Sequence, residues 1–188
     1  MREIVFATNN PHKLEELRAI AGNAARFVLP PTGFDPIESG ETFEENSLIK
    51  ACEAVRLSGK PALADDSGIC VNALGGAPGV LSARYADTAQ ASIDRLLKEL
   101  EPYEDRSAKF VCVMTLVDEN GEVLFTARGE CHGQIAKKQS GTNGFGYDPI
   151  FIVEGTGKTM AQMSEEEKNQ ISHRGRAVQQ VLDFIKFC

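Results

Sequence analysis

The chain has 188 residues and a formal net charge of −7 at pH 7, a size that suits one packed domain or two lobes that share a sheet. The acidic balance argues against a general nucleic-acid-binding protein, although a local basic cluster could still bind a small anionic substrate. No apolar run reaches the length of a membrane span, and the first residues lack a signal-peptide pattern. We therefore expect a cytoplasmic protein without a membrane partner.

The cysteines are odd in number, widely spaced and contain no C-x-x-C pair. They are Cys52, Cys70, Cys112, Cys131 and Cys188. Four of them fall in apolar segments, which favours small core residues in a reducing compartment over disulfides or zinc ligands.

The first strand and helix are predicted on either side of a short polar turn. Residues 4–7 form an apolar run typical of a buried strand, and apolar residues recur at helical spacing up to Gly22. Asn10 suits the N-cap and Pro11 the first helical position, which places Lys13 in the first turn. Because free amides at a helix N-terminus bind anions, this turn is a candidate phosphate site. The alternative is an ordinary capped helix with a solvated lysine.

Residues 27–29 are predicted to form a second strand, and a second helix is predicted to start after Thr42, where Glu45 completes a capping box. Its apolar face is predicted to hold Leu48, Cys52 and Val55. Asn46 and Lys50 would then share roughly the opposite face, where a solvated lysine is the simplest interpretation.

Two adjacent carboxylates, Asp65 and Asp66, interrupt an apolar run that is typical of a buried strand. Buried polar groups require partners, and adjacent carboxylates repel each other, so a cation is a natural partner. Glu38, Glu41 and Glu45 crowd the start of the second helix; they favour the helix dipole there, and one of them could also reach a metal held by either aspartate. We interpret this stretch as the metal end of a site that handles phosphates.

The middle of the chain predicts a mixed sheet. A helix that starts at Thr88 is expected to serve only as scaffold. Residues 110–117 and 123–130 flank a hairpin turn, so a purely parallel sheet is not expected. No strand leads into a G-x-G-x-x-G turn, and Ile152 occupies the position of the first glycine that a P-loop at residues 155–159 would need. These observations argue against dinucleotide-binding and P-loop folds.

A glycine-rich loop at residues 140–149 contains Phe145, Tyr147 and Asp148. A flexible backbone that presents an aromatic ring and a carboxylate suits a planar ligand such as a nucleobase. An aromatic ring packed over its own loop is the alternative.

Two further helix starts are predicted near the end of the chain. Ser164 and Glu167 form a capping box, and Ser172 is expected to cap the last helix. His173 and Arg174 would then oppose the helix dipole, which suggests an anion or an electron-rich acceptor nearby, or else a plain surface turn.

Together these segments offer amides and a lysine for phosphates, acids for a cation and an aromatic loop for a base, a set that suits a nucleoside triphosphate with Mg²⁺. Seven ordered segments, from the first strand to the last helix, resemble the Ham1/RdgB family of inosine/xanthosine triphosphate pyrophosphatases. They are ATNNPHK (7–13), TFEEN (42–46), ADDSG (64–68), LGGAPG (74–79), SARY (82–85), GFGYDP (144–149) and SHR (172–174).

The resemblance implies an α/β fold in which a long mixed β-sheet is flanked by helices. It implies a single pyrophosphatase domain over residues 1–188, with two lobes and a central substrate cleft. It also implies a homodimer that uses Mg²⁺ to hydrolyse ITP, dITP and XTP to monophosphate and pyrophosphate, which clears damaged purines from the nucleotide pool.

The resemblance also assigns roles to individual residues at the phosphate end. The phosphates would be held by Thr8, Asn9, Asn10, Pro11, His12 and Lys13, with Lys50 and Lys168 adding positive charge. Glu38 and Asp66 would hold magnesium, and Asp66 would also be the general base. Asp65 and Glu45 are alternative ligands or water-orienting groups.

At the base end, Ser67 would contact the substrate and Phe145 would stack on the base. Gly146, Tyr147 and Asp148 would complete the pocket, and His173 and Arg174 would contact the purine. One alternative is a Maf-like pyrophosphatase for pyrimidine or methylated nucleotides, against which the aromatic loop and the Ser-His-Arg segment argue. The other is a non-catalytic nucleotide-binding module, against which the retained acids Glu38 and Asp66 argue.

Overall fold

The computed structural model describes residues 3–187. Its strands are β1 (Glu3–Phe6), β2 (Arg26–Val28), β3 (Ala62–Val71), β4 (Ser107–Val117), β5 (Val123–Ile135) and β6 (Phe151–Val153). Its α-helices are α1 (Pro11–Ala21), α2 (Phe43–Ser58), α3 (Ala89–Glu99), α4 (Glu165–Ile171) and α5 (His173–Phe187). Short 3₁₀ helices span Asn72–Leu74, Gly79–Arg84, Asp148–Ile150 and Met160–Gln162. No described helix is long and apolar enough to cross a membrane.

The strands form one sheet in the order β2-β1-β3-β4-β5-β6. β1 pairs in parallel with β2 and with β3, whereas β5 and β6 are antiparallel. The sheet is therefore mixed, as predicted, and the helices that flank it confirm the α/β fold class.

The described residues separate into two compact units. The first contains the residues up to Asp66, Cys112–Gly129 and the residues from Arg174 onward. The second contains Ser67–Val111 and Glu130–His173. Residues from β3, β4 and β5 occur in both.

The core of the first unit lies on both faces of its strands because alternate strand residues point in opposite directions. On one face Phe6 and Leu63 pack in a cluster with residues of α1 and α5. On the other face Val5 and Ala64 pack with Ala51 and other residues of α2. Strands that are covered on both faces are apolar almost throughout, which explains the short continuous run at residues 4–7.

The second unit has its own core, in which residues of α3 pack with apolar residues of β3 and β4. Phe110 and Phe151 contribute rings whose centroids are 4.6 Å apart. This packing agrees with the prediction that α3 is scaffold.

The helix starts follow the predicted caps. The Asn10 side chain accepts a hydrogen bond from the His12 amide, and Pro11 is the first residue of α1. Thr42 with Glu45, and Ser164 with Glu167, form complete capping boxes. These local patterns predicted α1, α2 and α4 correctly because each cap depends only on neighbouring residues.

The predicted apolar face of α2 is correct for Val55, which is buried, but wrong for Leu48 and Cys52. Leu48 is exposed and Cys52 is half-buried, whereas Asn46 and Lys50 are buried together with Ala51 and Ala54. The inward face therefore carries an amide and an ammonium group beside small apolar residues, so Lys50 does not lie on a solvated surface.

The described cysteines form no disulfide with one another. Cys112 and Cys131 are buried, in agreement with a core role, whereas Cys52 and Cys70 are only partly buried. Cys188 lies outside the described residues.

Candidate active site

The N-terminal turn of α1 is built by its own side chains. The Thr8 hydroxyl accepts a hydrogen bond from the Asn10 amide at 3.0 Å, and the Asn9 side chain donates to the Phe34 carbonyl at 3.0 Å. His12 lies on the exposed side of the helix, 4.0 Å from Glu15. The predicted phosphate segment is thus an ordered turn that leads into a capped helix.

Lys13 contacts Asp65, which lies on β3. Its Nζ atom is 3.0 Å from Asp65 Oδ2 and 3.2 Å from Oδ1. Lys13 is therefore not a solvated lysine, because its ammonium group forms an ion pair with the buried carboxylate of Asp65.

Asp65 is the centre of a buried ion cluster. Its side chain is 1% exposed, and Arg174 Nη2 lies 3.3 Å from Oδ2. Arg174 also pairs through Nη1 with Glu16, which is likewise buried. The cluster joins α1, β3 and the start of α5, and its charges alternate in sign.

The pKa values follow from these contacts. Burial raises the pKa of Asp65, but the charges of Lys13 and Arg174 outweigh burial and hold that pKa well below its usual value. Burial lowers the pKa of Arg174, and the carboxylates of Asp65 and Glu16 raise it above its usual value. Both groups are therefore charged at neutral pH.

A second acid–lysine group lies beside the first. Lys50 Nζ is 3.0 Å from Asp66 Oδ1 and 3.3 Å from Glu38 Oε2. Burial lowers the pKa of Lys50, but the surrounding carboxylates outweigh burial and raise it. Burial raises the pKa of Asp66; Lys50 opposes this change and Glu38 reinforces it, and the net direction is upward.

One carboxylate oxygen of Asp66 is available to bind a cation. Its Oδ2 atom is buried and has no hydrogen-bond partner among the described residues. A carboxylate oxygen in that position fits a hard divalent cation such as Mg²⁺, with Glu38 as the second acid. Within residues 3–187 no group of three or more histidine, cysteine or acidic side chains forms a candidate metal site, so such an ion would need water or phosphate oxygens as further ligands.

The Glu45 carboxylate is hydrogen-bonded to backbone amides. Its Oε2 atom accepts hydrogen bonds from the amides of Glu41 and Thr42 at 2.7 and 3.1 Å. This contact accounts for the carboxylate as a capping group at the start of α2.

In the second unit, the predicted base-binding residues form a connected group. Asp148 Oδ2 accepts hydrogen bonds from Lys168 Nζ at 2.8 Å and from the Phe145 amide at 2.9 Å. Lys168 Nζ also lies 4.7 Å from the centroid of the Phe145 ring. The structure therefore places Lys168 with the aromatic loop.

The loop backbone depends on glycine at Gly144, which has φ +74° and where a Cβ atom would lie 2.0 Å from Asp148 Oδ2. Gly146 also has positive φ, at +61°. The Tyr147 hydroxyl donates to the Ser82 carbonyl at 2.8 Å. These contacts fix the loop around Asp148 and leave the Phe145 ring half-buried.

The Ser-His-Arg segment is not a surface turn, because its three side chains are buried. The His173 ring stacks on Phe110 in the second unit, with centroids 4.7 Å apart and planes 11° apart. Arg174 is the first residue of the last segment of the first unit, and Ser67 is the first residue of the second unit.

A sequence model of the Ham1 family matches residues 4–184. The chain belongs to the Ham1 family. Two relatives with the name dITP/XTP pyrophosphatase match almost the whole chain. The protein from Prochlorococcus marinus is 44% identical over 99% of this chain and 94% of its own length. The protein from Treponema denticola is 45% identical over 98% of both chains.

Solved Ham1 structures share the fold. A HAM1 protein from Coxiella burnetii superposes with a TM-score of 0.91 at 42% identity over 100% of both chains. The Ham1 protein of Staphylococcus aureus has a TM-score of 0.89 at 41% identity over 99% of both chains. These matches confirm the family resemblance seen in the sequence and do not favour the Maf-like alternative.

One member of the buried ion cluster of this Ham1 chain was not predicted from the sequence. Glu16 lies on the inward face of α1 between Leu14 and Leu17, and it pairs with Arg174. A carboxylate among inward-facing apolar positions requires a buried cation, and that pattern was a usable signal. Its partner is 158 positions away in the sequence, so no local rule could name it.

Proposed function

We propose that this chain hydrolyses non-canonical purine nucleoside triphosphates, namely dITP, ITP and XTP, to the monophosphate and pyrophosphate. The observation that carries the proposal is the identity of 44–45% over nearly the full length with proteins named dITP/XTP pyrophosphatase. The cluster of the partly exposed Glu38 with the buried Lys50 and Asp66 supports it, because hydrolysis of an acid anhydride requires acids and fixed positive charge.

Glu38 and Asp66 would hold Mg²⁺, and the unpartnered Asp66 Oδ2 supports this assignment. Bound there, Mg²⁺ would supply charge neutralisation for the phosphates and for the leaving pyrophosphate.

Side chains would accept the proton of the attacking water and bind the phosphate oxygens. Water attacks the α-phosphorus, a new P–O bond forms, and the bond to the bridging oxygen breaks so that pyrophosphate leaves. Asp66 would accept the proton of that water as the general base. Lys13, Lys50 and the first amides of α1 would bind phosphate oxygens, and Asp65 would keep Lys13 oriented.

Base selection would depend on the loop around Asp148. Phe145 would stack on the purine, with Gly146, Tyr147, Lys168 and Ser67 as further contacts. Hypoxanthine and xanthine carry an acceptor oxygen at position 6, where adenine presents an amino donor. A buried donor at that position, from His173, Arg174 or a backbone amide, would pair with the first two and reject adenine.

We also propose that the protein works as a homodimer in a reducing cytoplasm. The wide spacing of the cysteines and the lack of a C-x-x-C pair support a reducing compartment. Sedimentation equilibrium of the purified protein would test the dimer, and a monomer at micromolar concentration would contradict it.

Product analysis tests the activity. The purified protein with Mg²⁺ would be offered dITP, ITP, XTP, GTP, ATP and dTTP separately. We expect monophosphate and pyrophosphate from the first three, with little turnover of GTP or ATP. Release of orthophosphate would move the attack to the γ-phosphorus and refute the mechanism, and a preference for dTTP would indicate a Maf-like enzyme.

The variant Asp66→Asn tests the proposed base. It should lose at least roughly 100-fold in kcat, at the lower limit expected for a general base, and still bind dITP measurably. The matched control Asp183→Asn changes an exposed aspartate on α5 and should leave kcat unchanged. If Asp66→Asn turns over dITP at the wild-type rate, Asp66 is not the base.

A further inference from the structure

Asn46 is a buried polar residue of α2 that has no role in the proposed chemistry but contacts the segment that carries Glu38. Its side chain is fully buried at 0% exposure. Its Oδ1 atom accepts a hydrogen bond from the Gly40 amide at 2.8 Å. Gly40 belongs to the segment of residues 38–42 that precedes α2 and carries Glu38, so Asn46 acts on the backbone next to a proposed metal ligand.

We propose that Asn46 is a positioning residue that holds Glu38 in place for the metal and the substrate by anchoring the segment 38–42 to α2. The inference rests on the proposed function and adds a residue to it. Asn46 itself touches neither substrate nor metal in this scheme.

Two contacts one helical turn apart fix the segment along α2. Asn46 and Lys50 are four residues apart, so their side chains lie on the same face of the helix. Asn46 holds Gly40, and Lys50 holds Glu38 at 3.3 Å. Because Gly40 and Glu38 are only two residues apart, these two contacts hold the same short segment against one face of α2.

The anchor holds a run of three consecutive amides. Asn46 binds the amide of Gly40, and Glu45 binds those of Glu41 and Thr42. Glu45 belongs to an ordinary capping box, which would fix the start of α2 in any protein. The Asn46 contact reaches one residue further upstream and is the member of the run that lies nearest to Glu38.

Close packing at Gly40 reinforces the anchor. A Cβ atom there would lie 2.6 Å from Glu45 Cβ and 2.7 Å from Asn46 Oδ1. Neither distance is compatible with a side chain, so the backbone can approach the helix this closely only with glycine at position 40.

The chemistry of Asn46 itself argues against a packing role. Its Nδ2 atom is buried and has no hydrogen-bond partner among the described residues. A buried amide with an unused donor is less stable than an apolar side chain of similar size. The amide at this position is therefore explained by the contact with Gly40, which an apolar residue could not make.

Ser47 provides a matched control on the next position of the same helix. It is also fully buried, and its hydroxyl bonds to Thr115 and to the Glu44 carbonyl. Ser47→Ala removes a buried polar contact from α2 without touching the segment 38–42.

The experiment compares Asn46→Ala, Gly40→Ala and Ser47→Ala with the wild type. Mg²⁺ binding to the nucleotide-free protein is measured by titration calorimetry, and kcat and KM are measured with dITP. We expect Asn46→Ala and Gly40→Ala each to weaken Mg²⁺ binding and lower kcat by roughly 10–100-fold, the usual loss for a group that orients a metal ligand. Ser47→Ala should lower the melting temperature but keep Mg²⁺ affinity and kcat.

The double variant separates positioning from general destabilisation. Because both substitutions disrupt the contact between Gly40 and Asn46, the double variant Asn46→Ala with Gly40→Ala should lose less Mg²⁺ affinity than the sum of the two single losses. Additive losses, or an Asn46→Ala protein that behaves like Ser47→Ala, would overturn the inference. A wild-type protein that neither binds Mg²⁺ nor hydrolyses dITP would instead refute the proposed function itself.

Discussion

Replacement of Asp65 by asparagine tests whether the buried ion cluster stabilises the fold. The variant keeps the shape of the side chain but removes the negative charge between Lys13 and Arg174, which lie 3.0 and 3.3 Å away. Removal of one partner of a buried ion pair costs about 3–5 kcal/mol. We expect about 3 kcal/mol, the low end of that range, because Glu16 still neutralises Arg174 and Lys13 can turn toward solvent.

Thermal unfolding followed by circular dichroism measures this loss. Since 1 kcal/mol shifts the Tm of a protein of this size by about 2–4 °C, Asp65→Asn should melt about 6–12 °C below the wild type. The control Asp183→Asn removes an exposed pair with Lys186 and should change the stability by less than about 0.5 kcal/mol. If Asp65→Asn and Asp183→Asn have the same Tm, the charge of Asp65 does not stabilise the fold.

The pH dependence provides an independent check of the same charge. The folded-state pKa of Asp65 is lowered relative to the unfolded value of about 4. Its charge therefore stabilises the fold above about pH 4, and this contribution is lost as the pH falls toward the folded-state pKa. The difference in Tm between wild type and Asp65→Asn should be large at about pH 7 and should narrow at about pH 3. A constant difference would mean that the effect is steric.

Other substitutions test the remaining parts of the site and the fold. Phe145→Ala should raise KM for dITP by roughly 5–150-fold with little change in kcat, because base stacking contributes about 1–3 kcal/mol; the exposed Phe187→Ala is the control. Lys50→Met should bind Mg²⁺ more tightly in calorimetry, because two acids lose their neutralising ammonium, and should lower kcat by roughly 100-fold. Burial and then the hydrogen bond to Glu99 raise the pKa of Tyr85 to about 12. Since the unfolded pKa is about 10, Tyr85 stabilises the fold at neutral pH and loses that contribution as the pH rises through about 12. An ultraviolet titration of tyrosine ionisation should show a step at about pH 12 in the wild type that is absent from Tyr85→Phe.

The sequence predicted the features that depend on neighbouring residues. The caps at Asn10, Thr42 and Ser164 were correct because a cap is made within three or four positions. The mixed sheet followed from a hairpin signal and from the length of the apolar runs. Family resemblance supplied the activity, which periodicity and composition could not have supplied.

The sequence predicted the burial of Asp65 and Asp66 in β3, but not the burial of the polar residues on α2. Lys50 and Asn46 were placed on a solvated face because apolar residues alone defined the inward side of α2. The structure buries them because Asp66 and Gly40 supply partners from other segments. Burial of a polar residue depends on a contact distant in the sequence, and a single sequence contains no direct record of such contacts.

The lysines of the first unit already have carboxylate partners, and this has a consequence for turnover. In the proposed site, a nucleotide would displace Lys13 from Asp65 and Lys50 from Asp66 and Glu38, so each new phosphate contact would gain only the difference between two ion pairs. A triphosphate can make several such exchanges at once, whereas a monophosphate can make few. In the proposed site, these ion pairs would therefore favour rapid departure of the nucleoside monophosphate once pyrophosphate has been cleaved from it.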